Sequence, residues 1–176
     1  MGHSDAAISV KNSRLRDYIQ LTKPSLNIMV GFSSVICYQM APRIVETEWL
    51  LILFLFIGGY LITGSANAIN MAVEKDTDAQ MKRTAKRPVA SGRMSVSEAW
   101  TFAIVSGAIG IFILGYFFNW LSAGLALFSL FLYAFIYTPL KKVNAIAVLV
   151  GAFPGALPCL IGWAAGNDAI FETGHG

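Results

Sequence analysis

Residues 67–88 read NAINMAVEKDTDAQMKRTAKRP, a stretch that gathers three carboxylates (Glu74, Asp76, Asp78), two asparagine amides (Asn67, Asn70) and five cationic side chains (Lys75, Lys82, Arg83, Lys86, Arg87). On a continuous helix, Thr63, Asn67, Asn70, Glu74 and Asp78 fall within an arc of about 80°. Asp76 points to the far side and joins that line only if the helix has loosened there. Carboxylates and a carboxamide at four-residue spacing are hard oxygen ligands of the kind that suits Mg²⁺, which keeps part of its hydration shell and is completed by substrate phosphates. Steps of about 6 Å along the helix are too long for one ion to be gripped by all three side chains. They suit one or two ions strung along a groove with phosphate oxygens between them. Lys82, Arg83, Lys86 and Arg87 follow directly, and their donors match phosphate charge that a metal leaves uncovered.

A solvated loop whose cations only set membrane topology would account for the charged cluster taken alone. It does not account for Asn67 and Asn70, which align with the acids inside an apolar run; interhelical hydrogen bonding is the other explanation for them.

The elements that carry this line are set by lipid. Of the 176 residues, 56% are hydrophobic and 13% charged, and the apolar residues fall in long runs. Five runs, 25–41, 49–73, 98–118, 121–138 and 143–166, are long enough or nearly so to cross a hydrocarbon layer as helices. No period-two alternation suggests a barrel, and helices alone satisfy their own backbone groups in lipid. The expected fold is therefore an all-α polytopic transmembrane bundle of about five spans. Polar groups at membrane depth are costly, so the second helix should turn its polar line inward. Pro88 and Gly92 are expected to break that helix before the third begins near Ser97-Glu98.

Lys11, Arg14, Arg16 and Lys23 precede the first run; Lys75, Lys82, Arg83, Lys86, Arg87 and Arg93 join the second to the third; Lys141 and Lys142 join the fourth to the fifth. Arg43 alone lies on the other side, so the N-terminus is expected to be cytoplasmic. This gives a cytoplasmic segment over 1–24, a membrane domain over 25–166 and an external tail over 167–176. Topology accounts for the basic charge, and no nucleic-acid partner is needed. Cys37 and Cys159 fall within spans and read as packing residues. His3 and His175 stand at the termini, which leaves the spans without a histidine ligand for haem or metal. Neither a signal peptide nor a transit peptide is recognisable at the start, which favours a bacterial inner membrane.

The stretch resembles the first acidic motif of the intramembrane aromatic prenyltransferase superfamily, Asn-x-x-x-Asp-x-x-x-Asp, standing here as Asn70-x-x-x-Glu74-x-x-x-Asp78. Glu in place of the first Asp, together with Met81, Arg83, Thr84, Arg87, Pro88 and Ser91-Gly92-Arg93, resembles the protohaem IX farnesyltransferase (haem O synthase) branch. Leu21-Thr22-Lys23-Pro24, Tyr137-Thr138-Pro139-Leu140-Lys141-Lys142 with Asn144, and the segment from Gly151 to Trp163 agree with it, so the likeness covers nearly the whole chain. Ser25 departs from the pattern, where Arg often follows Lys-Pro.

The resemblance implies part of a nine-helix fold whose second acidic motif lies beyond this sequence. It implies Mg²⁺ as cofactor, farnesyl diphosphate and haem B as substrates, and a partner that takes the product on towards haem A. It assigns catalytic and metal-holding roles to Asn70, Glu74 and Asp78, with Asp76 as a further metal candidate. The diphosphate would be received by Lys23, Lys82, Arg83, Arg87 and Lys141, and the chain alone is expected to be inactive. A quinone precursor or chlorophyllide acceptor would keep the same diphosphate site. A transporter would use the polar line as an ion path, and an assembly factor would depend on neither diphosphate nor Mg²⁺.

Overall fold

The structure is a computed structural model that describes residues 14–42, 44, 47–140 and 147–167. Among these the regular elements are helical. A short helix α1 (14–22) is followed by α2 (Pro24–Gln39), α3 (Trp49–Val73), α4 (Lys75–Gln80), α5 (Val96–Phe117) and α6 (Trp120–Phe131). A wider π-helical turn, Leu132–Tyr137, continues α6 into α7 (Thr138–Leu140), and α8 (Ala147–Asn167) completes the order. The five apolar runs thus coincide with α2, α3, α5, α6 with its π turn, and α8. Among the described residues, Trp49–Val73, Val96–Phe117 and Trp120–Tyr137 are long and apolar enough to cross a membrane. The chain is an integral membrane protein.

Helix starts follow local chemistry. The Ser95 hydroxyl accepts the Glu98 N–H at 3.0 Å, and the Asn119 side chain accepts that of Ser122 at 2.7 Å, each satisfying an orphan donor of a first turn. Pro24 disfavours the α region at the residue before it, and the chain breaks there: Lys23 takes a left-handed conformation (φ 53°) between α1 and α2.

Packing is antiparallel between α2 and α3, α3 and α5, and α6 and α8. The contacts run from Asn27 with Tyr60 to Gly31 with Phe56, from Ser65 with Ala103 to Gly58 with Gly110, and from Ser122 with Ile161 to Tyr137 with Gly151. Helices α2 and α8 run parallel, Ser34 against Gly162 and Tyr38 against Gly166. Close approach rather than hydrophobic burial sets these pairs, because lipid is as apolar as a leucine side chain. A Cβ at Gly110 would lie 2.9 Å from the Gly58 carbonyl, and one at Gly162 would collide with the Ser34 backbone.

Two apolar clusters fill the interior. One, around Tyr38, Leu55, Leu114, Phe118 and Ile161, closes the end away from the charged loop. The other, around Leu21, Ala68, Met71, Val89, Met94 and Ala99, supports it. Outward-facing Met29, Phe32, Leu53, Ile104, Phe112 and Leu127 are exposed, as a lipid-facing surface requires.

One expectation is corrected. The second helix ends at Gln80, with Met81 extended, well before Pro88. Pro88 is buried and Gly92 (φ 77°) turns the chain, so both shape an ordered loop instead. The third helix begins at Val96 with Ser95 as its cap, beside the expected Ser97.

Candidate functional site

Helix α3 carries its polar line into the interior. Asn67, Asn70, Glu74 and Asp78 are 1, 2, 7 and 4% exposed. The helical hydrogen-bond pattern passes through the short irregularity at Glu74, Glu74 N–H to Asn70 at 3.0 Å and Asp78 N–H to Glu74 at 2.7 Å. The register that places these side chains on one face therefore holds into α4. Asp76, on the opposite face, is exposed.

The line divides into two networks. Asn67 Nδ2 donates to the Thr22 carbonyl and to Asn27 Oδ1, both at 3.1 Å, while Asn27 Nδ2 donates to the Tyr60 carbonyl at 3.1 Å. Tyr60 Oη lies 3.2 Å from Thr22 Oγ1. Asn67 thus closes the broken end of α1 and locks α2 to α3, the interhelical alternative for that residue. Asn27, fully buried on α2, is a partner that sequence reasoning passed over, although an asparagine inside an apolar run was visible as a signal.

The second network holds the acids. Asn70 Nδ2 donates to Glu74 Oε2 at 2.9 Å. Thr138, fully buried at the end of the π turn, donates to the Tyr133 carbonyl at 2.7 Å and stands 3.4 Å from Asn70 Oδ1. Arg87 Nη1 meets Asp78 Oδ2 at 2.6 Å, and Thr84 Oγ1 donates to the Asp78 carbonyl at 3.0 Å. A buried carboxylate without such partners would be driven to neutralise; here each has one.

Lys82, Arg83 and Lys86 stand exposed on the loop that follows, and Lys23 is half-buried at the α1–α2 break. Its left-handed backbone is the only positive φ outside glycine among the described residues, at a cost of about 1–3 kcal/mol that folding must over-determine. Lys141 lies outside the described residues.

Above the acids, towards the membrane interior, α2, α3, α6 with its π turn and α8 line a half-open cavity of about 190 Å³. Leu26, Val30, Ile62 and Pro158 supply apolar wall; Thr63, Asn67, Tyr133 and Tyr137 supply the polar positions. Thr63 of the predicted line thus faces the cavity.

The residues present fit a magnesium ion shared with phosphate. Two buried carboxylates and an amide, all hard oxygen donors with cations at hand, match the partial set that Mg²⁺ takes when phosphate oxygens complete its shell.

Three comparisons bear on this geometry. Residues 30–173 match the UbiA prenyltransferase family. The chain is 44% identical to a protein named protoheme IX farnesyltransferase from Flavobacterium psychrophilum, over 92% of this chain and 54% of that protein. It is 45% identical to one of the same name from Flavobacterium johnsoniae, over 94% and 55%, and 41% identical to a mitochondrial one from Kluyveromyces lactis, over 91% and 35%. The chain spans about half the length of the bacterial relatives it matches. Among solved structures it resembles a digeranylgeranylglyceryl phosphate synthase described in membranes, with TM-score 0.79 and 20% identity over 90% of this chain and 55% of that one. It also resembles a UbiA homologue from Archaeoglobus fulgidus bound to GPP and Mg²⁺, with TM-score 0.71 and 17% identity over 85% and 54%.

Proposed function

Because this chain belongs to the UbiA prenyltransferase family, we propose that it supplies the diphosphate-binding half of an intramembrane farnesyltransferase that acts on protohaem IX. The observation that carries the reading is one buried face, Asn70, Glu74 and Asp78, joined to an apolar cavity through Thr63 and Asn67. The names of the relatives support protohaem over other acceptors. The reaction joins the farnesyl group to a vinyl carbon, with water adding to leave a hydroxyethylfarnesyl side chain and diphosphate departing.

Glu74 and Asp78 would hold Mg²⁺, with Asn70 fixing the Glu74 carboxylate by the hydrogen bond it already makes. When bound, the ion supplies charge neutralisation for the departing diphosphate. Arg87 supplies a guanidinium that can exchange its carboxylate partner for a phosphate oxygen. Lys23, Lys82 and Arg83 add positive charge around it, and Lys141, outside the described residues, belongs to the proposed set on the sequence alone. Asp76, exposed on the other face, is the weakest member of the proposed metal set. The cavity receives the first part of the prenyl chain and keeps water from an electron-poor allylic carbon.

The remaining acidic ligands would come from the length that the relatives have and this chain lacks. On the lysine and arginine distribution we place the N-terminus and the 81–95 loop on the cytoplasmic side of the membrane, or its organellar equivalent. The deciding experiment extends this sequence to the relatives' length, supplies haem B, farnesyl diphosphate and Mg²⁺ in nanodiscs, and looks by mass for the farnesylated haem. Absence of product with a folded protein refutes the assignment.

A further inference from the structure

Arg93 ties the loop between α4 and α5 to α1, and from that residue a continuous run of contacts leads to the site. Arg93 Nε donates to Asp17 Oδ1 at 2.9 Å; its Nη2 donates to Gln20 Oε1 at 3.1 Å and to the Lys86 carbonyl at 3.0 Å. Lys86 precedes Arg87, the residue that meets Asp78. The turn between them is closed by the Ser91 N–H to the Arg87 carbonyl at 2.9 Å and the Met94 N–H to the Pro88 carbonyl at 3.1 Å. Gly92, at φ 77°, reverses the chain so that Arg93 can face back. Beneath the turn, Leu21 of α1 packs in one cluster with Val89 and Met94.

Asp17 is only 6% exposed although it sits on a surface helix. A buried carboxylate on such a helix is costly and gains its compensation from Arg93. That pairing could simply fasten α1. The branching of Arg93 argues for more, because one guanidinium holds both α1 and the backbone next to Arg87, so α1 cannot shift without moving the residue that faces Asp78.

We propose that Asp17 and Arg93 are positioning residues which hold Arg87 in register with Asp78 and so set the affinity of the site for a prenyl diphosphate. Neither residue is assigned contact with the substrate. The inference rests on the proposed function for its ligand and on the contacts above for its mechanism.

The test uses the sequence extended to the relatives' length in lipid nanodiscs, with farnesyl thiolodiphosphate plus Mg²⁺ as probe and farnesol as the diphosphate-free comparator. Asp17→Asn and Arg93→Gln should each weaken thiolodiphosphate binding about tenfold, the scale of a lost charge-assisted hydrogen bond. Farnesol binding should not change, and the double variant should bind no worse than either single one. The exchanged pair Asp17→Arg with Arg93→Asp should recover part of the loss. A merely structural role would instead reduce both ligands together, and that result overturns the proposal. So does unchanged thiolodiphosphate binding in Arg93→Gln while Asp78→Asn abolishes it, an outcome that leaves the proposed function standing. If the unaltered chain binds no thiolodiphosphate, the proposed function is what fails; amide exchange over residues 84–92 then decides the positioning, which requires faster exchange in Arg93→Gln and is refuted by equal rates.

Discussion

Arg87 and Asp78 meet at 2.6 Å across a loop that begins and ends on the same face of the bundle, and the Asp78 side chain of that pair is 6% exposed. Under the proposed function, Arg87 would compete with a bare cation for Asp78 and would assist a phosphate bound beside it. Arg87→Gln should weaken thiolodiphosphate binding by about tenfold or more while tightening Mn²⁺ binding measured without it. Both affinities falling together would show that Arg87 supports the fold and does not compete at the site.

The acids themselves should be needed for turnover. In a protein of the relatives' length that contains this sequence, Glu74→Gln or Asp78→Asn should lower the rate of haem farnesylation by at least about a hundredfold with membrane insertion intact. Asp76→Asn should cost far less, because Asp76 is exposed on the opposite face. The 176-residue chain by itself should make no farnesylated haem. Mass detection of the product settles all three.

Asn27 and Asn67 should behave as a unit. Asn27→Leu removes an acceptor from Asn67 and a donor from the Tyr60 carbonyl, which should cost about 1–3 kcal/mol in reversible unfolding from mixed micelles. Asn67→Leu in addition should cost less than the sum of the two single changes, since a buried network lost whole leaves fewer groups unpaired. Strict additivity would mean that the two amides are not coupled.

Small residues should be intolerant only where backbones approach. Gly162→Ala drives a methyl into the Ser34 backbone and should destabilise by about 1–3 kcal/mol. Gly124→Ala meets nothing within 4 Å and should stabilise α6 by about 0.5–1 kcal/mol through helix propensity. Thermal unfolding in detergent that ranks the two alike would contradict the packing.

Tyr18 gives α1 a pH response. Its hydroxyl donates to Glu98 Oε1 at 2.6 Å, and that hydrogen bond, then burial, pushes the phenol up from its ordinary value. A group raised in the folded state contributes fully below its unfolded pKa, about 10, and loses that contribution as pH rises through the folded value. The α1–α5 contact should therefore hold through neutral pH and weaken only in strong alkali. Tyrosinate absorbance of the native chain against Tyr18→Phe measures this; a Tyr18 midpoint at or below 10 would refute it.

The helices were legible because lipid leaves the backbone no other way to satisfy itself, so apolar run length marks α3, α5 and α6 within a few residues. The shared face of Asn70, Glu74 and Asp78 was legible for a similar reason: the helical register persists past Glu74, and a period of 3.6 needs no tertiary information. The same reasoning overran at the C-terminal end, placing the break at Pro88 when the helix stops at Gln80. There the Thr84 hydroxyl bonds the Asp78 carbonyl and Arg87 returns to the carboxylate, contacts that reward leaving the helix early.

The sequence by itself determined a membrane-spanning helical chain with one inward polar face followed by a basic loop, because hydropathy and helical period are properties of neighbouring residues. Only the tertiary structure decided that Asn67 serves Asn27 and Thr22 while Asn70 serves Glu74, and that Asp17 is joined to Arg93 from 76 residues away. Partner choice among buried polar groups depends on which helices approach closely enough for their dipoles to meet. That proximity is fixed by the small-residue contacts between α2, α3, α5 and α8, and no local pattern records it.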